Sequence, residues 1–172
     1  PYKVTDQVNP HTAYGESKAL GEKLVAESGA DFSILRTAWL YSAGGKNFAK
    51  TIASILKSQG QARVVGDQIG QPTWAADLAR VVFDVARLNE MPRIVHATSS
   101  GSGSWADFAR EIADTLGMSS ESVVEVSSAE FETAAKRPAY SVLDNSSSVI
   151  EPIGDWRERW AVAAPEVLRE LL

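Results

Sequence analysis

The chain has 172 residues, a net charge of −5, 44% hydrophobic and 23% charged residues, and no cysteine. These values suit one globular domain with a real core. They exclude disulfides and thiolate metal sites and weigh against nucleic acid or an anionic membrane as partner. The two histidines, His11 and His96, have no metal-binding spacing, and no stretch approaches the roughly 18 apolar residues of a membrane span. With no signal peptide at the start, the expectation is a cytoplasmic protein without a metal site.

Taken in chain order, Pro10 marks a loop and a helix is predicted from about Ala13 to Ser28, with Gly29 as its C-cap. Tyr14 and Lys18 share a face of that helix, four positions apart. An ammonium beside a phenol favours the phenolate, and a tyrosine so placed can trade a proton with a carbonyl or alcohol oxygen near neutral pH. On spacing alone, a packed ring beside a solvated amine is the commoner explanation of such a pair. Phe32–Thr37 reads as a buried strand and Gly44-Gly45 as a loop. Phe48, Ile52, Ile55 and Leu56 have helical spacing, with Asn47 as N-cap and a stop at Gly60.

A short strand follows at 62–66, then a loop at 68–73. Thr73 is placed to cap a helix from about Trp74 to Leu88, with Asp77 supporting its first turn. Another strand is expected at 93–97. Ser104 and Asp107 resemble a capping box before a helix over 105–116. Val123–Val126 reads as a strand, and Asp155 to Leu172 as an amphipathic helix bent near Pro165, its charges solvated. This alternation favours an α/β fold with at least partly parallel strands. A complete doubly wound nucleotide fold opens on a glycine-rich turn, and none precedes Tyr14.

Gly101-Ser102-Gly103-Ser104-Trp105-Ala106 fits the dinucleotide pattern G-x-G-x-x-A, with Glu125 near the expected distance for a ribose ligand. Ser104 already explains this helix start as a cap, and Trp105 would crowd a cofactor loop, so the segment is read as a decoy. Trp74, Trp105, Trp156 and Trp160 are read as packing residues.

The run from Asn9-Pro10 through Tyr14-Gly15-Glu16-Ser17-Lys18 to Gly21-Glu22 resembles the active-site helix of the extended short-chain dehydrogenase/reductase family. Arg36-Thr37-Ala38-Trp39-Leu40-Tyr41, Asn47–Thr51, the segment from Asp67 to Ala79 and Arg137–Asp144 are similar to its dTDP-4-dehydrorhamnose reductase branch, in the same order. The resemblance implies the C-terminal part of such an enzyme: remaining Rossmann-type strands and helices plus a small sugar-nucleotide-binding α/β subdomain, over 1–172. It implies hydride transfer from NADPH or NADH to the C4 keto group of a dTDP-sugar. Tyr14 would be the proton donor, with Lys18 beside it at the nicotinamide ribose.

The dinucleotide-binding part and a third catalytic Ser or Thr are expected before Pro1, and this portion alone is expected to be inactive. Trp39, Asn47, Thr73 and Arg137 are the implied substrate-binding residues. The first would lie against sugar or base, or else in the core; Asn47 would bring a helix start to a phosphate; Arg137 would fork onto the diphosphate or stay a surface arginine. A homodimer is a further expectation. The alternative is a non-catalytic relative with the same architecture, the regulatory subunit of methionine adenosyltransferase.

Overall fold

In the computed structural model, residues 1–131, 137–146 and 149–171 are described. The elements run α1 (Ala13–Glu27), β1 (Ile34–Arg36), β2 (Leu40–Tyr41), α2 (Phe48–Gln59), β3 (Ala62–Val65), β4 (Ile69–Gly70) and β5 (Thr73–Trp74). Then follow α3 (Ala75–Ala86), β6 (Ile94–His96), β7 (Gly103–Ser104), α4 (Trp105–Thr115), β8 (Val123–Val126) and α5 (Trp156–Val167). Short 3-10 turns lie at Ser120–Ser122 and Ser128–Glu130.

The strands pair two by two. β1 with β6, β2 with β5 and β3 with β8 are parallel, and β4 with β7 is antiparallel. The chain is thus mixed α/β with mostly parallel pairing, as the alternation of elements required. Parallel neighbours need a crossover, and the chain supplies one each time: α2 and β3 stand between β2 and β5, and α4 between β3 and β8.

Two apolar clusters hold these elements. The larger gathers Leu56 from α2, Val64 from β3, Phe108 and Ile112 from α4, and Trp156 and Trp160 from α5 around Tyr41. Phe108 is its hub, with ring centroids 5.3 Å from Tyr41, 5.2 Å from Trp160 and 5.8 Å from Trp156. The tilted and edge-on contacts suit the aromatic quadrupoles. The smaller cluster sets Val81 and Val85 of α3 against Val95 of β6, with Ala97 and Ile153. Trp156 and Trp160 are therefore core residues, as their sequence pattern indicated.

Most helix ends fall where the local chemistry places them. Asn47 caps α2 through Lys50 N, and Ser104 and Asp107 form the capping box of α4. Three expectations need correction. The loop at 68–73 contains β4 and the first residue of β5. Thr73 is not a helix cap: it pairs with Leu40 in the β2–β5 register, and Trp74 takes the cap position of α3 without a side-chain bond. The tail is helical only to Val167, with Pro165 inside its last turn, and its charges are not all solvated, since Arg159 pairs with the largely buried Asp77.

Helix α1 differs from the rest. Thr12 caps it through Gly15 N, yet none of its residues is buried, and Leu20, Leu24 and Val25 stand exposed. No helix among the described residues is long and apolar enough to cross a membrane.

Candidate active site

Tyr14 opens α1 and is 73% exposed. The ammonium of Lys18 lies over its ring, 5.5 Å from the centroid. One helical turn brings the two together, as their spacing required. Gly15 fits between them because a Cβ there would stand 3.1 Å from the Pro10 side chain. The helix is fastened to the body by Glu22, whose carboxylate takes two hydrogen bonds from Arg36 of β1, at 2.8 and 2.6 Å. This pair is mostly shielded, at 25% and 19% side-chain exposure. The Glu22 hydrogen bond, against the opposing effect of burial, holds the Arg36 pKa above its usual value, and the Glu22 charge adds to it. A bidentate guanidinium–carboxylate fork fixes direction as well as distance.

Arg36 ends β1, and the chain then passes through Trp39 to β2. Of the four expected substrate residues, Trp39 and Thr73 meet in this region, and Asn47 precedes Phe48, which packs on the Trp105 ring. Thr73 N donates to the Trp39 carbonyl at 3.2 Å. Trp39 stacks on Trp105, with centroids 3.5 Å apart and planes 6° from parallel. Phe48, next to Asn47, lies 4.5 Å from the Trp105 ring. Asn47 itself donates from Nδ2 to the Ser42 carbonyl at 2.8 Å while it caps α2, so its amide is engaged on both sides.

Thr73 has no exposed surface, and its hydroxyl donates to the Gln71 carbonyl and accepts from Ser99 N. Burial and two internal bonds make Thr73 a strut behind Trp39. Gln71 is a second strut. Its buried amide bonds Ser99 O, Leu143 O and Leu143 N, tying three chain segments. Arg137 is exposed and makes no bond among the described residues, but the chain just after it runs along β4, where Ile69 N donates to Ala139 O at 2.8 Å.

The decoy glycines have a packing explanation. A Cβ on Gly103 would come 2.8 Å from the ring of Trp156, and one on Gly101 2.6 Å from the Asp155 carboxylate. Glu125, the would-be ribose ligand, is bonded to Arg110 at 2.6 Å. These glycines admit α5 and are not shaped by a pyrophosphate. Gly70 is the residue the sequence reading missed around Trp39; Trp105 was read as a packing residue, but not as the partner of Trp39. The only hint was the glycine inside Gln68-Ile69-Gly70-Gln71.

The family model described as the RmlD substrate binding domain matches residues 1–172. The spore coat polysaccharide biosynthesis protein SpsK of Bacillus subtilis (strain 168) is 39% identical over 170 residues, covering 99% of this chain and 58% of that protein. A dTDP-4-dehydrorhamnose reductase of Burkholderia thailandensis is 34% identical over 187 residues, covering 100% and 62%. The crystal structure of dTDP-4-dehydrorhamnose reductase from Bacillus anthracis in complex with NADP matches with a TM-score of 0.89 at 33% identity, covering 96% of this chain and 59% of that one. The chain thus spans about three fifths of the relatives' length.

Proposed function

Because this chain belongs to the family of RmlD substrate-binding domains, we propose that it is the sugar-nucleotide-binding portion of a dTDP-4-dehydrorhamnose reductase. The whole protein, on this reading, reduces the C4 keto group of dTDP-4-dehydro-L-rhamnose with NADPH or NADH. The observation that carries the reading is the Tyr14–Lys18 pair on a helix fastened by Glu22 to Arg36, within a chain whose relatives bear reductase names.

The nicotinamide, when bound, supplies the hydride. Tyr14 Oη then gives its proton to the oxygen that was the C4 carbonyl and becomes the product hydroxyl. Lys18 sits beside the ring, its ammonium 5.5 Å from the centroid, and is assigned to the nicotinamide ribose. Both side chains are exposed on one face of α1, so they are free to meet a ribose and a keto sugar. Trp39 lines the sugar site, and Asn47 sets the start of α2 toward it. Arg137 is assigned to the diphosphate, whose oxygens suit a guanidinium. The dinucleotide-binding portion and the third catalytic hydroxyl are assigned to the rest of the polypeptide. A homodimer and a cytoplasmic location go with the reading.

The presence of both Tyr14 and Lys18 favours an enzyme over a non-catalytic regulatory subunit. In the complete polypeptide, Tyr14→Phe is expected to lower turnover by about 10² to 10⁴, the usual contribution of a positioned proton donor. Binding of dTDP should stay within about twofold, less than 0.5 kcal/mol. Steady-state kinetics with titration calorimetry measures both, and undiminished turnover would overturn the assignment.

A further inference from the structure

Trp39 carries a strain that the rest of the fold must offset. Its φ is 45°, and it is the one non-glycine residue with positive φ among the described residues. For a bulky side chain that conformation is an outlier, and it persists only where the surroundings determine it. Three restraints do so here. Thr73 N holds the Trp39 carbonyl. The ring lies on Trp105 at 3.5 Å and 6°. Gly70 lies against Cε2, Cζ2 and Nε1, so close that a Cβ there would stand 2.3 Å from Cε2. The restraints come from three elements distant in sequence: β5, α4 and β4. With one face on Trp105 and this part of the ring against Gly70, Trp39 has one seat. Its indole N–H has no hydrogen-bond partner among the described residues, so that donor is left for something else.

We propose that Gly70 and Trp105 are the positioning residues of the sugar-nucleotide site: together they hold Trp39 in its strained seat and so set the affinity for the dTDP-sugar without touching it. Gly70 acts by lacking a Cβ and Trp105 by stacking. This rests on the assignment of Trp39 to the substrate site above.

The test uses the complete polypeptide in five forms: wild type, Trp105→Leu, Trp105→Phe, Gly70→Ala and Trp39→Leu. The seat itself is read, independently of function, from the far-ultraviolet circular dichroism couplet of two stacked indoles, with Trp39→Leu as the reference for its loss. Trp105→Leu should abolish the couplet and raise both KM for the dTDP-sugar and the Kd for dTDP about tenfold, the factor that corresponds to 1.4 kcal/mol. Trp105→Phe keeps an aromatic ring under Trp39 and should restore most of the affinity. Gly70→Ala should displace the ring, change the couplet and raise KM, with kcat within about twofold of wild type, because the Tyr14–Lys18 pair is untouched. A purely structural role would instead lower kcat and the unfolding midpoint with KM unchanged.

A lost couplet with unchanged KM and dTDP affinity overturns the proposal, as does full affinity in Gly70→Ala. If wild type binds no dTDP, the sugar-nucleotide reading falls and the proposal falls with it.

Discussion

His96 shows how much one buried side chain can make of its surroundings. The residue is 2% exposed, Nδ1 lies 2.9 Å from the Asp144 carbonyl, and Nε2 is buried without a partner among the described residues. A carbonyl only accepts, so Nδ1 carries the proton of the neutral ring. Burial pushes the pKa below the usual 6.5 and the Arg36 charge adds to this, while the Asp144 carbonyl and the Asp144 and Asp6 charges oppose it. Between that lowered pKa and the ordinary value, the unfolded chain binds a proton that the folded chain refuses. Stability from this residue is therefore complete above about pH 6.5 and lost as the pH falls through the folded pKa. Denaturant unfolding at pH 7.5 and 5.5 should show a loss on acidification that is smaller in His96→Asn, which keeps a donor toward Asp144. An equal loss in the variant would place the effect elsewhere. Nothing about His96 in the sequence pointed to this, because the contact is to a backbone oxygen far along the chain.

At the scale of elements, legibility followed locality. The capping box of Ser104 and Asp107, the stop of α2 at Gly60 and the four-residue strands β3 and β8 were all readable from neighbours a few positions apart. The two-residue strands β2, β4, β5 and β7 were not, because two residues carry no period and exist only through partners such as Ile69 with Ser104. The same holds for Asp77. It was read as a dipole partner in the first turn of α3, but in the fold both its oxygens take bonds from Arg159 of α5, each at 2.9 Å. The pair is largely shielded, at 9% and 25% side-chain exposure, and Arg159 also lies over Trp74. It locks α5 to the helix that follows β5. Removing one partner from such a pair leaves the other charge uncompensated, so Asp77→Ala should cost about 3 kcal/mol. Urea denaturation would measure it, and a loss below about 1 kcal/mol, the value of an exposed pair, would mean the guanidinium is solvated instead.

The whole molecule divides into a well-packed body and one exposed helix. Phe108, Ile112, Trp156 and Trp160 give α2, α4 and α5 a common core, whereas the residues of the proposed chemistry ride on α1, which buries none of its side chains. The candidate site was legible to the same degree. Tyr14 and Lys18 could be paired by spacing, and Trp39, Asn47 and Thr73 could be named by resemblance. The stack on Trp105, the Gly70 contact and the Glu22–Arg36 tie could not, since each joins residues whose proximity only the fold creates. The division predicts separable behaviour: the 172-residue chain by itself should bind dTDP, measured by calorimetry, yet show little or no reduction of the keto sugar in a coupled NADPH assay. Turnover at an ordinary reductase rate by this chain alone would show the assignment of the dinucleotide site to the rest of the polypeptide to be wrong.

The exposure of α1 has a consequence for how that helix persists at all. It is 15 residues long and carries Gly21 in its interior, unfavourable by about 0.8–1.0 kcal/mol relative to alanine. Isolated helices of this length are marginal even with ideal sequences, and no buried side chain makes up the difference. Among the described residues the helix is tied to the body by the Glu22–Arg36 pair and leaves Leu20, Leu24 and Val25 exposed. The proposed proton donor therefore rides on a helix tied to the body by the Glu22–Arg36 pair, so a change at either of those residues would reach Tyr14 through the helix.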